Sequence, residues 1–265
     1  MKAYAIYNDD LGQKKPIGYL TYYEKAAEYI IELEENIEEW DVPILFQKYI
    51  REQEYTVPTE VSKLWVQERV IPSGRQNIGM ILKNAKLKYY DEMKLLCITK
   101  GRCSQDNCYI KECTLPEHIE KRRSNNISDC YISGAGKIIC FHKDDSVRRI
   151  NAVDIINRNL WDSDKKEELY SVNVGTGGYD IIINGKIGVN ADVILKYGEL
   201  LNVSASDFKE YAMQGIVTTT EACTELNMTR QNMAYLTKKN KITPIIRGEK
   251  ENLFCKGDIR RIATE

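Results

Sequence analysis

Apolar residues recur along this chain with two spacings, the alternation of a half-buried strand and the three-to-four-residue step of a helix face. Near the amino terminus, residues 2–7 and 17–22 are short runs rich in aromatic and β-branched residues, which predicts two strands joined by a turn. Helical spacing follows in residues 61–70, 76–87 and 90–99, with a Pro-Ser-Gly breaker after the first of these runs. We therefore predict an α+β domain over residues 1–123.

The middle of the chain favours strands. Residues 120–129 are polar and show no periodicity, so we interpret them as a linker. Residues 131–154 and 170–189 are rich in β-branched and aromatic residues, and Asn184-Gly185 between two such runs is a strong hairpin signal. Helical spacing returns in residues 191–201 and 206–213. The sequence thus predicts a β-rich segment over residues 124–212 that ends in two helices.

The last region has two short helical patterns separated by a tight turn at Asn227-Met228. Thr219 or Thr220 is predicted to cap the first helix, and Thr229 the second, which runs to about Asn240. Residues 242–247 and 253–255, with a polar turn between them, predict the two strands of a wing, and residues 258–262 a final half-turn of helix. Two helices joined in this way form a helix-turn-helix unit, so we predict a winged helix-turn-helix over residues 213–265.

The second of these helices is predicted to enter the major groove of duplex DNA. Met228, Met233 and Leu236 are expected to point inward. Arginine pairs with guanine, and glutamine or asparagine with adenine, whereas residues of the wing are expected to contact phosphate only. The residues predicted to contact DNA are Thr229, Arg230, Gln231, Asn232, Tyr235, Lys238, Lys239, Arg247 and Lys250.

The stretch from Val217 to Ile262 resembles the winged helix domains of the excisionase and MerR type. The shared pattern is Thr-x-x-Glu-Ala, then Leu-x-Met-Thr-Arg-Gln-Asn, then Lys-Ile-x-Pro, and Leu-Phe before Asp-Ile. The resemblance implies a DNA-binding function. Asn240 stands where such domains often have a glycine before the strand, and asparagine tolerates the left-handed conformation that this position needs.

The amino-terminal region also resembles a known family, over roughly residues 1–112. Its runs IGYLTYYEKAAEYIIEL, VPILF and VSKLWVQERVIPSGRQNIGMIL are similar to the N-terminal subdomain of HipA-family kinases. That resemblance implies a small sheet, a Pro-containing strand and helices, and a role in contacting a partner protein. No kinase catalytic loop follows, so it does not imply phosphoryl transfer.

Composition and charge add two constraints. The 265 residues carry a net charge of −1 and have no apolar run long enough to span a membrane, and the amino terminus lacks a signal peptide, so we expect a cytoplasmic protein with eight free thiols. The charge is uneven, because residues 24–60 are strongly acidic and the stretch from Gly215 to the end has nine basic against six acidic residues. A basic terminal domain on a near-neutral chain is typical of an attached DNA-binding module, although a solvated surface would also have scattered charge.

Other motifs in the sequence do not indicate a catalytic, metal-binding or phosphate-binding site. The cysteines at 97, 103, 108 and 113 lack the close pairs of a zinc ribbon, so we favour buried thiols in a helix-turn-strand segment over a metal site. The Gly-Ala-Gly-Lys run at 134–137 fails the phosphate-loop pattern, and the glycines at 175–178 precede a strand rather than a helix. We identify no catalytic group, so neither an enzyme nor a cofactor is expected.

The sequence therefore favours a sequence-specific duplex DNA-binding protein, either a transcriptional regulator or a mobile-element accessory factor. One alternative is a toxin-antitoxin-like module that holds a partner protein through its amino-terminal domain, with DNA contact secondary. Another is an enzyme with an unrecognised site in the middle segment. A homodimer is also predicted, through an apolar stripe of Val193, Ile194, Tyr197 and Leu201, unless that stripe packs into its own domain.

Overall fold

The computed structural model describes residues 1–12, 15–134, 136–151, 155, 169–203 and 205–264. The chain is α+β, as predicted, and divides into two compact units, Met1–Glu120 and Lys121–Glu265. The second unit therefore contains both the β-rich middle and the carboxy-terminal region, which the sequence analysis separated between residues 212 and 213. Within the described ranges, no helix is both long and apolar enough to cross a membrane.

The first unit is built on a five-stranded antiparallel sheet in the order β4-β3-β2-β1-β5. The two predicted strands near the amino terminus are confirmed and pair with each other. Three further strands, β3, β4 and β5, were not predicted, and β3 lies inside the acidic stretch with Glu32 fully buried. The strands are β1 (Lys2–Asn8), β2 (Gly18–Tyr23), β3 (Glu28–Leu33), β4 (Thr56–Val57) and β5 (Cys108–Glu112).

Helices cover this sheet. Phe46 and Trp65 are fully buried against its apolar residues. The three predicted helices are confirmed in shortened form, and α1 is additional. Pro43 and Pro58 directly precede α1 and α2 in an extended conformation, so α1 begins where the family resemblance implied a Pro-containing strand. The helices are α1 (Ile44–Glu52), α2 (Thr59–Gln67), α3 (Ile78–Asn84), α4 (Glu92–Thr99) and α5 (Glu117–Arg123).

The second unit contains a four-stranded sheet in the order β12-β8-β7-β6 and a three-stranded sheet in the order β11-β10-β9. The predicted hairpin at Asn184-Gly185 is confirmed, since both residues have positive φ (52° and 70°) between paired strands. The strands are β6 (Ile127–Ser133), β7 (Lys137–His142), β8 (Val147–Asn151), β9 (Val172–Val174), β10 (Asp180–Ile183), β11 (Ile187–Asn190) and β12 (Glu199–Leu200).

The linker predicted at residues 120–129 is wrong. This stretch contains the end of α5 and the start of β6, and its polar residues Arg123, Asn126 and Asp129 are buried. Asn126 donates from Nδ2 to the carbonyl oxygen of Gly177 at 3.0 Å, and Asp129 accepts from the backbone N–H of Cys130 at 2.8 Å. These buried groups have hydrogen-bond partners, for Asn126 one that is remote in sequence, so local polarity did not indicate solvent exposure.

The apolar stripe proposed as a dimer contact lies mostly inside its own unit. Helix α6 (Ala191–Tyr197) ends before Leu201, and its residues Val193 and Ile194 are buried in the core with Ile181. Leu201 packs against a separate apolar cluster that contains Tyr131 and Ile139. Of the four stripe residues, only Tyr197 is substantially exposed. The stripe is therefore core packing, which removes this support for a dimer and leaves the oligomeric state itself as a prediction. Helix α7 (Ala205–Gly215) follows.

Candidate nucleic-acid interface

Residues 216–264, here called the C-terminal segment, contain two strands and three helices. The elements are β13 (Ile216–Thr218), α8 (Thr219–Glu225), α9 (Arg230–Lys238), β14 (Leu253–Cys255) and α10 (Lys256–Thr264). Ala222 of α8, Met233 of α9, Phe254 of β14 and Ile259 of α10 are almost completely buried in one cluster. This small core fixes α8 and α9 against each other.

Both helices begin at a capping threonine. Thr218, not the predicted Thr219 or Thr220, caps α8: its Oγ1 accepts from the N–H of Glu221, whose carboxylate accepts from the N–H of Thr218 at 2.7 Å. These hydrogen bonds lower the pKa of Glu221. Thr229 caps α9 as predicted, accepting from the N–H of Asn232 at 3.3 Å. The reciprocal pair at α8 is a capping box, whereas α9 has the threonine cap alone, and in both cases the start of the helix is locally encoded.

Both helices also end at an asparagine in the left-handed conformation. Asn227 has a φ of 49° and Asn240 a φ of 52°. The residues after them, Met228 and Lys241, donate back to the carbonyl oxygens of Cys223 and Leu236 at 3.0 Å. This is the Schellman arrangement that ends a helix sharply. The sequence prediction that Asn240 can replace glycine is confirmed.

The outer surface of α9 is polar and basic. Met233 is buried and Leu236 is half-buried against the core, as predicted. Gln231, Tyr235 and Lys238 recur at the spacing of one helix face, and all three are exposed. Asn232 and Lys239 flank them and are exposed as well, with the Lys239 ammonium 5.9 Å from the Tyr235 ring centre. The helix thus presents five hydrogen-bonding side chains on the side away from its core.

Arg230 differs from the other predicted contact residues because its guanidinium has partners within the chain. It donates to Thr220 Oγ1 at 2.5 Å and lies 3.8 Å from a carboxylate oxygen of Glu251. Thr220 also donates to Glu251, from its hydroxyl and from its backbone N–H at 2.8 Å, and these hydrogen bonds lower the pKa of Glu251. The side chain of Arg230 is still 68% exposed. The sequence indicated Thr220 only as a possible helix cap and gave no sign of Glu251. Together these two residues join α8 to the loop before β14.

The predicted wing is only partly correct. β14 pairs with β13, an unpredicted strand, in the register Ile216 to Cys255 and Val217 to Phe254. Residues 242–247 form no continuous strand, and only Ile246 bridges to Leu253. Pro244 has no N–H to donate, which limits a ladder at this position. Arg247 and Lys250 lie exposed in the loop that this bridge closes.

The C-terminal segment contacts β6 through α10. The guanidinium of Arg260 on α10 lies 3.6 Å from a carboxylate oxygen of Asp129 in β6 and 3.2 Å from one of Glu225 in α8. Burial raises the pKa of Asp129, against the lowering effect of its hydrogen bond from Cys130 and of the nearby Arg260. At Gly257 an added Cβ would lie 2.7 Å from the carbonyl oxygen of Ser128, so only glycine fits there.

The other candidate motifs do not converge on a site. The four clustered cysteines lie in a helix-turn-strand segment, as predicted, with Cys97 on α4 and Cys108 at the start of β5. The prediction that their thiols are buried is wrong for three of them, because Cys97 is exposed and only Cys108 is buried, whereas the other two are half-buried. Throughout the part of the chain that the structure describes, no group of three or more His, Cys, Asp or Glu side chains is placed to hold a metal ion. Gly177 and Gly178 both have positive φ and form a tight turn before β10.

No protein-family model matches the chain, and no curated protein or solved structure is similar enough to count as a match.

Proposed function

We propose that the C-terminal segment is a winged helix-turn-helix that binds duplex DNA, with α9 in the major groove. The observation that carries this proposal is the exposed row of Gln231, Tyr235 and Lys238 on a helix whose opposite side is buried. A major groove about 12 Å wide admits one α-helix, and amide side chains pair with adenine by two hydrogen bonds. The row supplies both the shape and the donors that such contact requires.

The start of α9 suits a phosphate. The first N–H groups of a helix point outward with the positive end of its dipole, and Thr229 and Arg230 stand at that end. Lys238 and Lys239 supply positive charge at the other end of the same surface. In this proposal Gln231 and Asn232 contact base edges, whereas Thr229, Lys238, Lys239, Arg247 and Lys250 contact the backbone.

Arg230 has a more specific role in the proposal. In the free protein its guanidinium is held by Thr220 and Glu251, so contact with a guanine requires it to exchange those partners. Ion pairs at exposed positions contribute little, so the exchange costs little. Glu251 would then hold Arg230 in an extended position before DNA arrives.

The test is selection of duplexes from a random library with the full-length protein, followed by titration of the selected duplex at two salt concentrations. We expect an enriched sequence whose affinity falls as salt rises. Gln231→Ala with Lys238→Ala should weaken binding at least about tenfold, since the lost base contact of Gln231 costs about 1–3 kcal/mol and the lost phosphate contact of Lys238 adds to it. The matched control is Lys63→Ala with Gln67→Ala on the exposed side of α2. No enrichment, or equal affinity of both double variants, contradicts the proposal.

A homodimer on DNA remains part of the proposal. A single module of this size buries only about 600–1,000 Å² on DNA, which gives a short site. Because Val193 and Ile194 are core residues, the contact between copies must lie elsewhere. Sedimentation of the full-length protein with and without the selected duplex tests it, and a monomer under both conditions would exclude the dimer.

A further inference from the structure

The first unit contains an open cleft of about 540 Å³ that the proposed DNA contact does not use. It lies beside the start of α1, the end of α2 and the loop before β5. Residues from all three places line it, among them Trp40, Ile44, Trp65, Glu68 and Asp106. The cleft is therefore formed by segments that are far apart in sequence, and the core around Trp65 holds these segments together.

Two large apolar side chains stand exposed at this cleft. Trp40 is 78% exposed and Ile44 is 86% exposed, although both are of a size that normally lies inside a protein. Pro43 holds the backbone between them in an extended conformation, and α1 begins at Ile44. Large apolar residues that are exposed together at a concave surface are typical of an interaction site.

Two buried N–H donors lie near the cleft: that of Trp65, which lines it, and that of Arg69, which packs on the Trp65 ring but does not line the cleft. Trp65 Nε1 and Arg69 Nε are buried and have no hydrogen-bond partner among the described residues. The Arg69 guanidinium lies 3.8 Å from the centre of the Trp65 ring and also donates to Trp65 O and to Asp106, so the two side chains form one rigid group. A buried unpaired donor costs about 1–3 kcal/mol, and a carbonyl oxygen would satisfy it.

The charge of the lining is acidic. Asp10, Glu68 and Asp106 line the cleft together with three side-chain amides, and no lysine or arginine lines it within the described ranges. Asp106 pairs with Arg69, whereas Glu68 is exposed. A surface of this sign attracts a cation and repels the phosphates of a nucleic acid.

We propose that this cleft docks an extended peptide segment of a partner protein that carries an apolar side chain beside a lysine or arginine. The apolar side chain packs on Trp40 and Ile44, and the cation faces Glu68 and Asp10. Tryptophan is the residue type most often found to dominate such interfaces. The site is separate from the proposed DNA contact, so each can fail without the other.

The test uses the full-length protein as bait for a random peptide library displayed on phage. We expect enriched peptides in which an apolar residue neighbours a lysine or arginine, and whose affinity falls with salt. Trp40→Ala with Ile44→Ala should weaken the enriched peptides by about tenfold or more. Glu68→Gln should weaken them less and reduce the salt dependence. The matched control is Met80→Ala with Tyr89→Ala, two exposed apolar residues that do not line the cleft.

Three results would overturn the proposal. The first is the absence of any peptide enriched above background, and the second is enrichment of acidic peptides. The third is enriched peptides that bind the Trp40→Ala, Ile44→Ala variant as tightly as the original protein. Sedimentation adds a further check: a self-associated form that this double variant dissociates would assign the cleft to a second copy of the chain instead.

Discussion

The outer surface of α9 and the cleft beside α1 differ in almost every physical property. The first is convex, presents amides and lysines, and has its apolar side chains buried. The second is concave, is lined by carboxylates, and leaves Trp40 and Ile44 exposed. Proteins contact DNA mainly through cations and partner proteins mainly through aromatic and apolar residues. One chain therefore has two surfaces suited to partners of opposite charge.

The contrast also explains why the whole-chain charge is uninformative. A net charge of −1 arises because an acidic stretch in the first unit offsets the basic carboxy-terminal region. Association is governed by local fields, which are screened over about 10 Å in ordinary salt. The following experiments test whether the two surfaces act separately.

The largest effect is expected from Phe254→Ala. Phe254 is fully buried in the core that joins α8, α9 and α10, and removing such a ring costs about 3–5 kcal/mol. We expect DNA binding to be lost while peptide binding at the cleft is retained. Denaturation by urea, followed by circular dichroism, measures the loss, and Phe254→Leu serves as the milder control. Parallel loss of both binding activities would show that the two surfaces are not independent.

A smaller effect is expected from Arg230→Ala, about 1–3 kcal/mol on the selected duplex with relaxed preference at one base pair. Since Arg230 also bonds Thr220 and Glu251, loss of positioning could produce a similar change. Glu251→Gln distinguishes the two roles in a double-mutant cycle, measured by fluorescence anisotropy. If Arg230 only positions the loop, Arg230→Ala should weaken all duplexes alike. Peptide affinity is expected to stay unchanged in each variant.

Asp129 should contribute a loss of stability of the second unit as pH rises in the acidic range, opposite in sign to the contributions of Glu221 and Glu251. Burial raises the pKa of Asp129 above its usual 3.8, so the folded state binds a proton more tightly than the unfolded chain. Stability from this group is therefore greatest below 3.8 and falls until pH passes the folded pKa, by at most about 1.4 kcal/mol per pH unit. Asp129→Asn should flatten this part of the profile in urea titrations at several pH values. If the pH profile of stability is the same in the variant, other titratable groups cause the pH dependence.

The smallest effect is expected from Arg247→Ala and Lys250→Ala in the loop before β14. Both residues are exposed, and each is proposed to contact only phosphate. Each change should weaken all duplexes by a similar factor and lower the salt slope by about one unit per lost contact. Titrations at several salt concentrations measure the slope. A preference for one sequence that changes on substitution would mean that the loop contacts bases.

The C-terminal segment was the most predictable part of the fold because its signals are local. Thr229 caps the start of α9 by accepting from the N–H of Asn232, three residues further on. Asn240 ends the same helix because it adopts the left-handed conformation. The inward positions of Met233, which is buried, and Leu236, which is half-buried, follow from helical spacing alone. The Asn184-Gly185 hairpin was predictable for the same reason, since its turn requires two positive φ angles.

Elements that depend on remote partners could not be predicted. β13 is three residues long and exists because Phe254 and its neighbours pair with it from the far end of the segment. β3 was obscured by its glutamates, yet Glu32 is buried between neighbouring strands. The cleft beside α1 could not be predicted from the sequence either, because Trp40, Trp65 and Asp106 come together only in the folded chain.

The close approach of Gly257 to Ser128 limits how the protein can be divided for study. A fragment that starts near residue 213 would keep α8 and α9 but remove β6, which holds the carboxylate facing Arg260 and the carbonyl facing Gly257. The contact between the Tyr211 hydroxyl and Cys255 would be cut as well. Such a truncation would uncover apolar area and fail to bind through misfolding, so a useful fragment must begin before Ile127.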